Sequence, residues 1–302
     1  MRQRYWNIPN FATMEIKGLK LNNPGMDFLA WNSSTETFPF QVQRDDLIHP
    51  VVSGNKSRKL QGWISYYFEE NFTGIITFGG AFSNHLIATA SVCNTLKIPC
   101  VGLVRGDMGT RNPYLDYCSE MGMELIFIAR SEYREKSSLE ERYQHYKERK
   151  NLLIPEGGKG ILGFQGFEGL VSSWQGNFPD IIVHASATGT TAAGLARALR
   201  SAGAHTRILA VLVLRNLAEQ EANLRDWGVF DEVELLSDYH FGGYAKMPES
   251  LIHFLGEARE QIEFPIEPVY TGKAFYALVN HILPENKDKK VCFLHTGGIM
   301  NY

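Results

Sequence analysis

Residues 74–85 read GIITFGGAFSNH. The run GIITF at 74–78 carries no charge and is rich in β-branched residues, the pattern of a strand covered on both faces. The pair Gly79-Gly80 permits a tight turn, and Ser83 and Asn84 are suited to cap a helix that follows. A strand, a glycine turn and a capped helix in immediate succession make the unit from which parallel α/β sheets are built. The same rhythm extends along the chain. Apolar runs at 99–104 (PCVGLV), 124–128 (ELIFI), 180–184 (DIIVH), 208–214 (ILAVLVL) and 291–295 (VCFLH) predict further strands. Residues 57–70, 83–96, 112–122, 188–201 and 272–282 read as helices between them, so the fold class is α/β with parallel sheet. The stretch 131–150 (SEYREKSSLEERYQHYKERK) mixes both signs of charge with tyrosine and predicts a solvated surface helix. The glycine-rich PEGGKG at 155–160 predicts a turn at a domain junction.

Composition narrows the function. The chain has 302 residues, 44% hydrophobic and 21% charged, enough for two domains or one large one. Lys plus Arg number 30 against 33 Asp plus Glu, a formal net charge of −3 that offers no footing for nucleic acid or an acidic membrane. Cys93, Cys100, Cys118 and Cys292 form no CxxC pair, which predicts buried free thiols in a reducing cytoplasm. The opening MRQRYWNIPNFATMEIKG has basic residues with no apolar stretch behind them, so no signal peptide is expected. No run of about 18 apolar residues suggests a membrane span. HExxH, zinc-spaced Cys/His sets and GxSxG are all missing, so no metal site is expected and neither a metalloprotease nor an α/β-hydrolase has its centre.

Three stretches at strand-to-helix transitions carry the candidate chemistry, where open α/β sheets place ligands. The first, Ser53-Gly54-Asn55-Lys56-Ser57-Arg58-Lys59-Leu60, lacks the glycine spacing of a nucleotide-binding P-loop. Three cations at a helix start oppose the helix dipole and call for an anion to offset them. The second is the Gly79–His85 turn, where Ser83, Asn84 and His85 follow the glycine pair. The third is Ala185-Ser186-Ala187-Thr188-Gly189-Thr190-Thr191-Ala192-Ala193-Gly194, whose small residues and hydroxyls expose backbone N–H groups suited to a phosphate. It is not GxGxxG, which counts against a dinucleotide-dependent oxidoreductase. His184 and His295, near strand ends, read as structural.

Taken together the motifs resemble one family. Arg44-Asp45-Asp46, Gly54-Asn55-Lys56-x-Arg58-Lys59-Leu60 and Gly79-Gly80-x-x-Ser83-Asn84-His85 are similar to the 1-aminocyclopropane-1-carboxylate (ACC) deaminase and D-cysteine desulfhydrase family. The resemblance continues through Ile154-Pro155-Glu156-Gly157-Gly158, the threonine-rich turn at 188–191, Gly243-Tyr244, Pro268-Val269-Tyr270-Thr271-Gly272-Lys273 and His295-Thr296-Gly297-Gly298. It implies a pyridoxal 5′-phosphate (PLP) enzyme with the tryptophan-synthase β-subunit fold, fold type II: two open parallel-sheet α/β domains with the cofactor in the cleft. Residues 1–61 and 163–302 would form the larger, cofactor-binding domain and 62–162 a smaller inserted one.

By the same resemblance, Lys56 is the lysine that links covalently to PLP, with Asn55 beside it. Lys59 helps hold the phosphate, and Ala187, Thr188, Gly189, Thr190 and Thr191 form the phosphate cup. Asn84 meets the ring hydroxyl, and Ser83 meets the substrate carboxylate or acts near the reacting carbon. Tyr244 and Tyr270 are active-site tyrosines, and Thr271 faces the pyridine nitrogen, where deaminase members carry glutamate. Phe82 stands where many members have glutamine, and Lys159-Gly160 replace a common serine-asparagine; both bear on pocket shape. The implied activity is β-elimination and deamination of a small amino acid, D-cysteine desulfhydration first, releasing an oxo acid and ammonia. ACC deamination, D-serine dehydration and a non-catalytic PLP- or amino-acid-binding member stand as alternatives. A cytoplasmic homodimer is expected by analogy, with a small amino acid as partner and neither nucleic acid nor membrane.

Overall fold

The apolar runs assemble into two sheets. A computed structural model describes residue 16 and residues 18–107 and 109–298. The opening segment examined for a signal peptide lies mostly outside the described residues. The first elements are β1 (Met26–Asn32), β2 (Thr37–Gln43), α1 (Gly54–Glu69), β3 (Gly74–Gly80), α2 (Asn84–Leu96) and β4 (Cys100–Arg105). Next come α3 (Pro113–Glu120), β5 (Glu124–Ile128), α4 (Lys136–Tyr143), β6 (Asn151–Ile154), α5 (Gly166–Ser173) and β7 (Ile181–Ser186). The chain continues through α6 (Thr190–Ser201), β8 (Arg207–Leu212), α7 (Leu217–Asp226), β9 (Val233–Leu236), α8 (Glu249–Gln261), α9 (Thr271–Ala277) and β10 (Val291–Leu294).

One sheet has four parallel strands in the order β5-β4-β3-β6. The other has six, β1-β2-β10-β7-β8-β9, all parallel except for the antiparallel β1–β2 pair. It draws strands from both ends of the chain, and the four-stranded sheet is inserted between them. Alternating residues of the six-stranded sheet feed two cores. Val183, Leu209, Val211 and Phe293 join Phe264 and Phe275 on one face. Ile182, Ile208, Ala210 and Cys292 meet α5 and α6 on the other. Burial on both faces is why these strands read as unbroken apolar runs.

Helix α1 serves both sheets. Its Trp63, Ile64 and Tyr67 pack into the core of the four-stranded sheet. Its first turn abuts the other sheet: Asn55 N–H donates to Thr296 O at 3.1 Å. Gly54 has φ +60° there, and a Cβ on it would lie 1.9 Å from Thr296 O, so only glycine fits. Residue 62, the expected domain boundary, thus falls inside α1. At the other boundary, Leu162 belongs to the core of the four-stranded sheet and Phe164 to that of the six-stranded one.

The expected strands and helices form, with shifts of a few residues at their ends. Strands β1, β2, β6 and β9 and helices α5, α7 and α8 were not read from the sequence. The stretch 131–150 departs from its expected form. Instead of one solvated helix, short turns at Glu132–Arg134 and Tyr146–Glu148 flank α4. Tyr133, Leu139 and Tyr143 are buried with Ile76, Phe78 and Leu103, because one face of the segment covers the sheet. All four cysteines are buried and free. Among the described residues no helix is long and apolar enough to cross a membrane.

Candidate active site

The carboxyl ends of strands from both sheets converge on a cavity of about 790 Å³, within the size range of small-molecule sites. Its walls come from the turn after β3, the 155–160 turn after β6, the 187–191 turn after β7 and the tail after β10. It opens beside the carboxyl ends of β7 and β10.

On α1, Lys56 and Lys59 face this cavity, one turn apart. Burial pushes the Lys56 amine down to about 8, while the charge of Glu267 opposes the shift. Lys59 is also pushed down, by burial and then by the neighbouring Lys56. Lys56 Nζ donates to Asn55 Oδ1 at 2.7 Å, and Lys59 Nζ to Gly157 O at 3.3 Å. Arg58 does not join them. It is buried and paired bidentately with buried Asp45, one hydrogen bond measuring 2.6 Å, and it donates to Gly166 O. Two of the three basic side chains therefore face the cavity; the third holds α1 to the larger sheet.

Opposite stands the N-terminus of α6. Gly189, with φ +77°, turns the chain so that the first N–H groups of the helix have no intrahelical acceptor. Asn55 Nδ2 donates to Thr191 Oγ1 at 3.1 Å, tying α1 to this turn. Three side chains of the α7 region brace it: Asn216 donates to Ala187 O at 2.8 Å, Asn223 to Thr188 O at 3.3 Å, and Gln220 accepts from Ser186 Oγ at 2.5 Å. These bonds fix a turn whose free backbone N–H groups suit an anion. Ala187, Thr188, Gly189 and Thr191 line the cavity. The Thr190 side chain is fully buried behind it and accepts from Thr188 Oγ1.

Ser83 caps α2, its Oγ accepting from Leu86 N–H at 3.3 Å, and Asn84 follows it into the wall. Asn84 Oδ1 and His85 Nδ1 are buried with no hydrogen-bond partner. Orphaned acceptors of this kind are unfavourable unless a ligand satisfies them. His85 Nε2 shares a 2.8 Å hydrogen bond with Thr77 Oγ1, and burial followed by the charges of Lys56 and Lys59 keeps its pKa low. Tyr244 and Tyr270 close the far side, ring centroids 6.3 Å apart. Burial raises both phenols. Phe82 also lines the cavity and is largely exposed, edge-on to Tyr114 at 5.6 Å.

Thr271 does not reach the cavity wall: fully buried at the start of α9, its hydroxyl accepts from Glu267 N–H at 3.0 Å. Glu267 was not picked out from the sequence. Its carboxylate accepts from the N–H groups of Val269, Tyr270 and Thr271 at 2.6–2.7 Å, fixing the turn that presents Tyr270. A glutamate just before Pro268 and the following helix start was the available signal. His85, inside a quoted motif, had no role assigned. His184 and His295 are buried and hydrogen-bonded to the carbonyls of Ala185 and Pro265.

A family model described as pyridoxal-phosphate dependent enzyme matches residues 40–297. The chain belongs to that family. Among its relatives, a Pyrococcus horikoshii protein named "Putative 1-aminocyclopropane-1-carboxylate deaminase" is 29% identical over 94% of this chain and 95% of its own. A D-cysteine desulfhydrase of Klebsiella pneumoniae is 27% identical over 97% and 95%. A solved structure of an ACC deaminase homologue superposes with TM-score 0.79 at 26% identity, covering 93% of this chain and 91% of that one. A threonine deaminase, at 15% identity and TM-score 0.64, shares the fold. As a member of the PLP-dependent family, this chain carries in one cavity a lysine amine, the open N-terminus of α6 and two orphaned acceptors, groups that fit such a cofactor.

Proposed function

We propose that the protein binds PLP through Lys56 and uses it to eliminate a β-leaving group from a small amino acid, D-cysteine first, with release of an oxo acid and ammonia. The observation that carries this reading is one cavity in which the lowered amine of Lys56 faces the open N-terminus of α6. The N–H groups after Gly189 and the Lys59 ammonium would hold the phosphate, the Lys56 amine would take the aldehyde carbon, and Asn84 Oδ1 would accept from the ring hydroxyl. When bound, PLP supplies an electron sink for bonds breaking at the α-carbon. The chain supplies orientation and proton handling. Ser83 Oγ and Tyr270 Oη are the hydroxyls offered to the substrate, and Tyr244 packs against Tyr270 to limit where that hydroxyl lies.

Preference for a good leaving group such as sulfide rests on position 271, where deaminase members carry a carboxylate and this chain has a threonine whose short side chain stays behind the cavity wall. A hydroxyl does not hold a pyridine nitrogen protonated, so the sink is weaker. The second reading, opening of the ACC ring, draws on the relatives of that name. The same proposal takes 1–61 and 163–302 as the larger unit and 62–162 as the inserted one, and the protein as a cytoplasmic homodimer.

The test has two arms. Borohydride treatment of the yellow protein should fix a pyridoxyl label on Lys56; a label on Lys59 or none refutes the cofactor assignment. A panel of D- and L-amino acids and ACC is then assayed for pyruvate and 2-oxobutyrate. Highest kcat/KM with D-cysteine supports the first reading, highest with ACC the second, and no turnover by the loaded protein overturns both.

A further inference from the structure

The motif Pro268-Val269-Tyr270-Thr271-Gly272-Lys273 ends in a lysine for which the cavity has no use. Lys273 is fully buried on α9, outside the cavity wall. Its hydrogen-bond partners are backbone carbonyls: Gly243 O at 2.7 Å, His240 O at 2.9 Å and Val213 O at 3.5 Å. An ammonium has three N–H donors and no acceptor, so this cage satisfies it fully. Burying a charge away from water is unfavourable, and an apolar residue could fill the same space without that penalty. The cage therefore asks for an explanation beyond packing.

The turn that it grips provides one. Gly243 O belongs to the peptide that joins Gly243 to Tyr244, so the 2.7 Å bond fixes the plane from which Tyr244 departs. The turn is also unfavourable on its own. Phe241, Gly242, Gly243 and Ala245 have φ of +51°, +94°, +113° and +53°, and two of the four are not glycine. These positive φ values help turn the carbonyls of His240 and Gly243 towards one point, which Lys273 Nζ occupies. At the other end of the same helical turn, Tyr270 meets the Tyr244 ring. One short stretch of α9 thus carries Tyr270 and holds the peptide of the tyrosine packed against it.

We propose that Lys273 is a positioning residue, whose ammonium clamps the 240–243 turn onto α9 and so holds Tyr244 against Tyr270 at the substrate side of the cavity. The kinetic consequence rests on the functional reading above; the clamp itself does not. A clamp differs from a purely stabilising charge in acting through Tyr244. Two variants test it, Lys273→Met, which keeps the length without the charge, and Lys273→Gln, which keeps two N–H donors.

Amide exchange in the protein as purified should rise about 10-fold or more over residues 239–246 in Lys273→Met, with β7 unchanged, as expected of local rather than global opening. With D-cysteine, kcat/KM should fall about 10²-fold, the scale of a misplaced catalytic group. In a Tyr244→Ala background, which removes the ring that meets Tyr270, the same substitution should lower it by less than about 3-fold, because the two effects share one route. Lys273→Gln should recover part of both readouts. Unchanged exchange at 239–246, or equal kinetic losses with and without Tyr244, overturns the proposal. Failure of both variants to fold would assign Lys273 to core stability and overturn it too. If the parent protein turns over no amino acid, the functional reading fails alone, and exchange still decides the clamp.

Discussion

Lys56 in the cofactor-free protein should titrate near pH 8. Burial in the cavity wall lowers it from the ordinary 10.5 to about 8, and Glu267 prevents a larger fall. At pH 7 the amine would then be about 10% neutral, against about 0.03% for an ordinary lysine, roughly a 300-fold gain in the form that attacks a carbonyl. Brief acetylation at a series of pH values, read by mass spectrometry at Lys56 and Lys59 separately, measures the midpoint. Replacing Glu267 by Gln removes the opposing anion and should move the Lys56 midpoint further down. Stability follows with a defined sign. Between pH 8 and 10.5 the unfolded chain holds a proton on Lys56 that the folded chain has lost, so this group makes stability rise with pH across that window. A midpoint at about 10 or above, or an upward shift in Glu267→Gln, would refute the account of burial opposed by Glu267.

Ser83→Ala and Tyr270→Phe should each keep the PLP absorbance and lose about 10²-fold or more in kcat, the scale of a positioned acid-base group; a variant that purifies without PLP would move its residue to cofactor binding. Asp45→Ala leaves the buried Arg58 without its carboxylate and should cost about 3–5 kcal/mol in urea unfolding; a loss below about 1 kcal/mol would show that the pair does not anchor α1. Thr271→Glu should raise the ratio of ACC to D-cysteine kcat/KM, and a ratio unchanged both in this variant and with Glu267→Gln added, each folded and PLP-loaded, removes Thr271 from the choice of substrate.

Strands buried on both faces announce themselves as apolar β-branched runs, and β3, β4, β7, β8 and β10 are legible for that reason, whereas the half-buried edge strand β5 shows through its LIFI run alone. The missed strands lack that signature. Phe28 on the edge strand β1 and Glu234 on the edge strand β9 are exposed, and β6, at the edge of the other sheet, opens on the polar Asn151. The tyrosines of 131–150 mislead because mixed charge masks a buried face: Tyr133 and Tyr143 share a core with Ile76, Phe78, Val101 and Leu103, which are distant in sequence. In GNKSRKL the error has a geometric origin. Successive helical residues are about 100° apart, so Lys56 and Lys59 share a face while Arg58 points elsewhere. The carboxylate that receives Arg58, Asp45, stands in the Arg44-Asp45-Asp46 motif, but its pairing with Arg58 is a tertiary contact that the motif does not announce. The cavity lysines and the cup were readable as motifs, whereas the bracing of the cup by Asn216, Gln220 and Asn223 depends on tertiary contact alone.

The residues from Glu267 to Lys273 show most clearly what a motif conceals. As a sequence, PVYTGK offers a tyrosine and a threonine to the chemistry and leaves the rest unexplained. In the fold, Glu267 gathers three N–H groups and fixes the start of α9, while Gly272 packs where a Cβ would meet Leu255 at 2.7 Å. The Thr271 hydroxyl is already engaged with Glu267, accepting from its N–H and lying 3.3 Å from its carboxylate. Held there behind the cavity wall, the hydroxyl is no donor to a ring nitrogen, which strengthens the case for a weak electron sink. It also ties substrate choice to the cap, because a glutamate at 271 would stand beside Glu267, and like charges buried together drive one of them to take up a proton. Under this argument Thr271→Glu acts fully only when Glu267 is neutralised as well. Thr271→Glu combined with Glu267→Gln should therefore move substrate preference further towards ACC than Thr271→Glu alone.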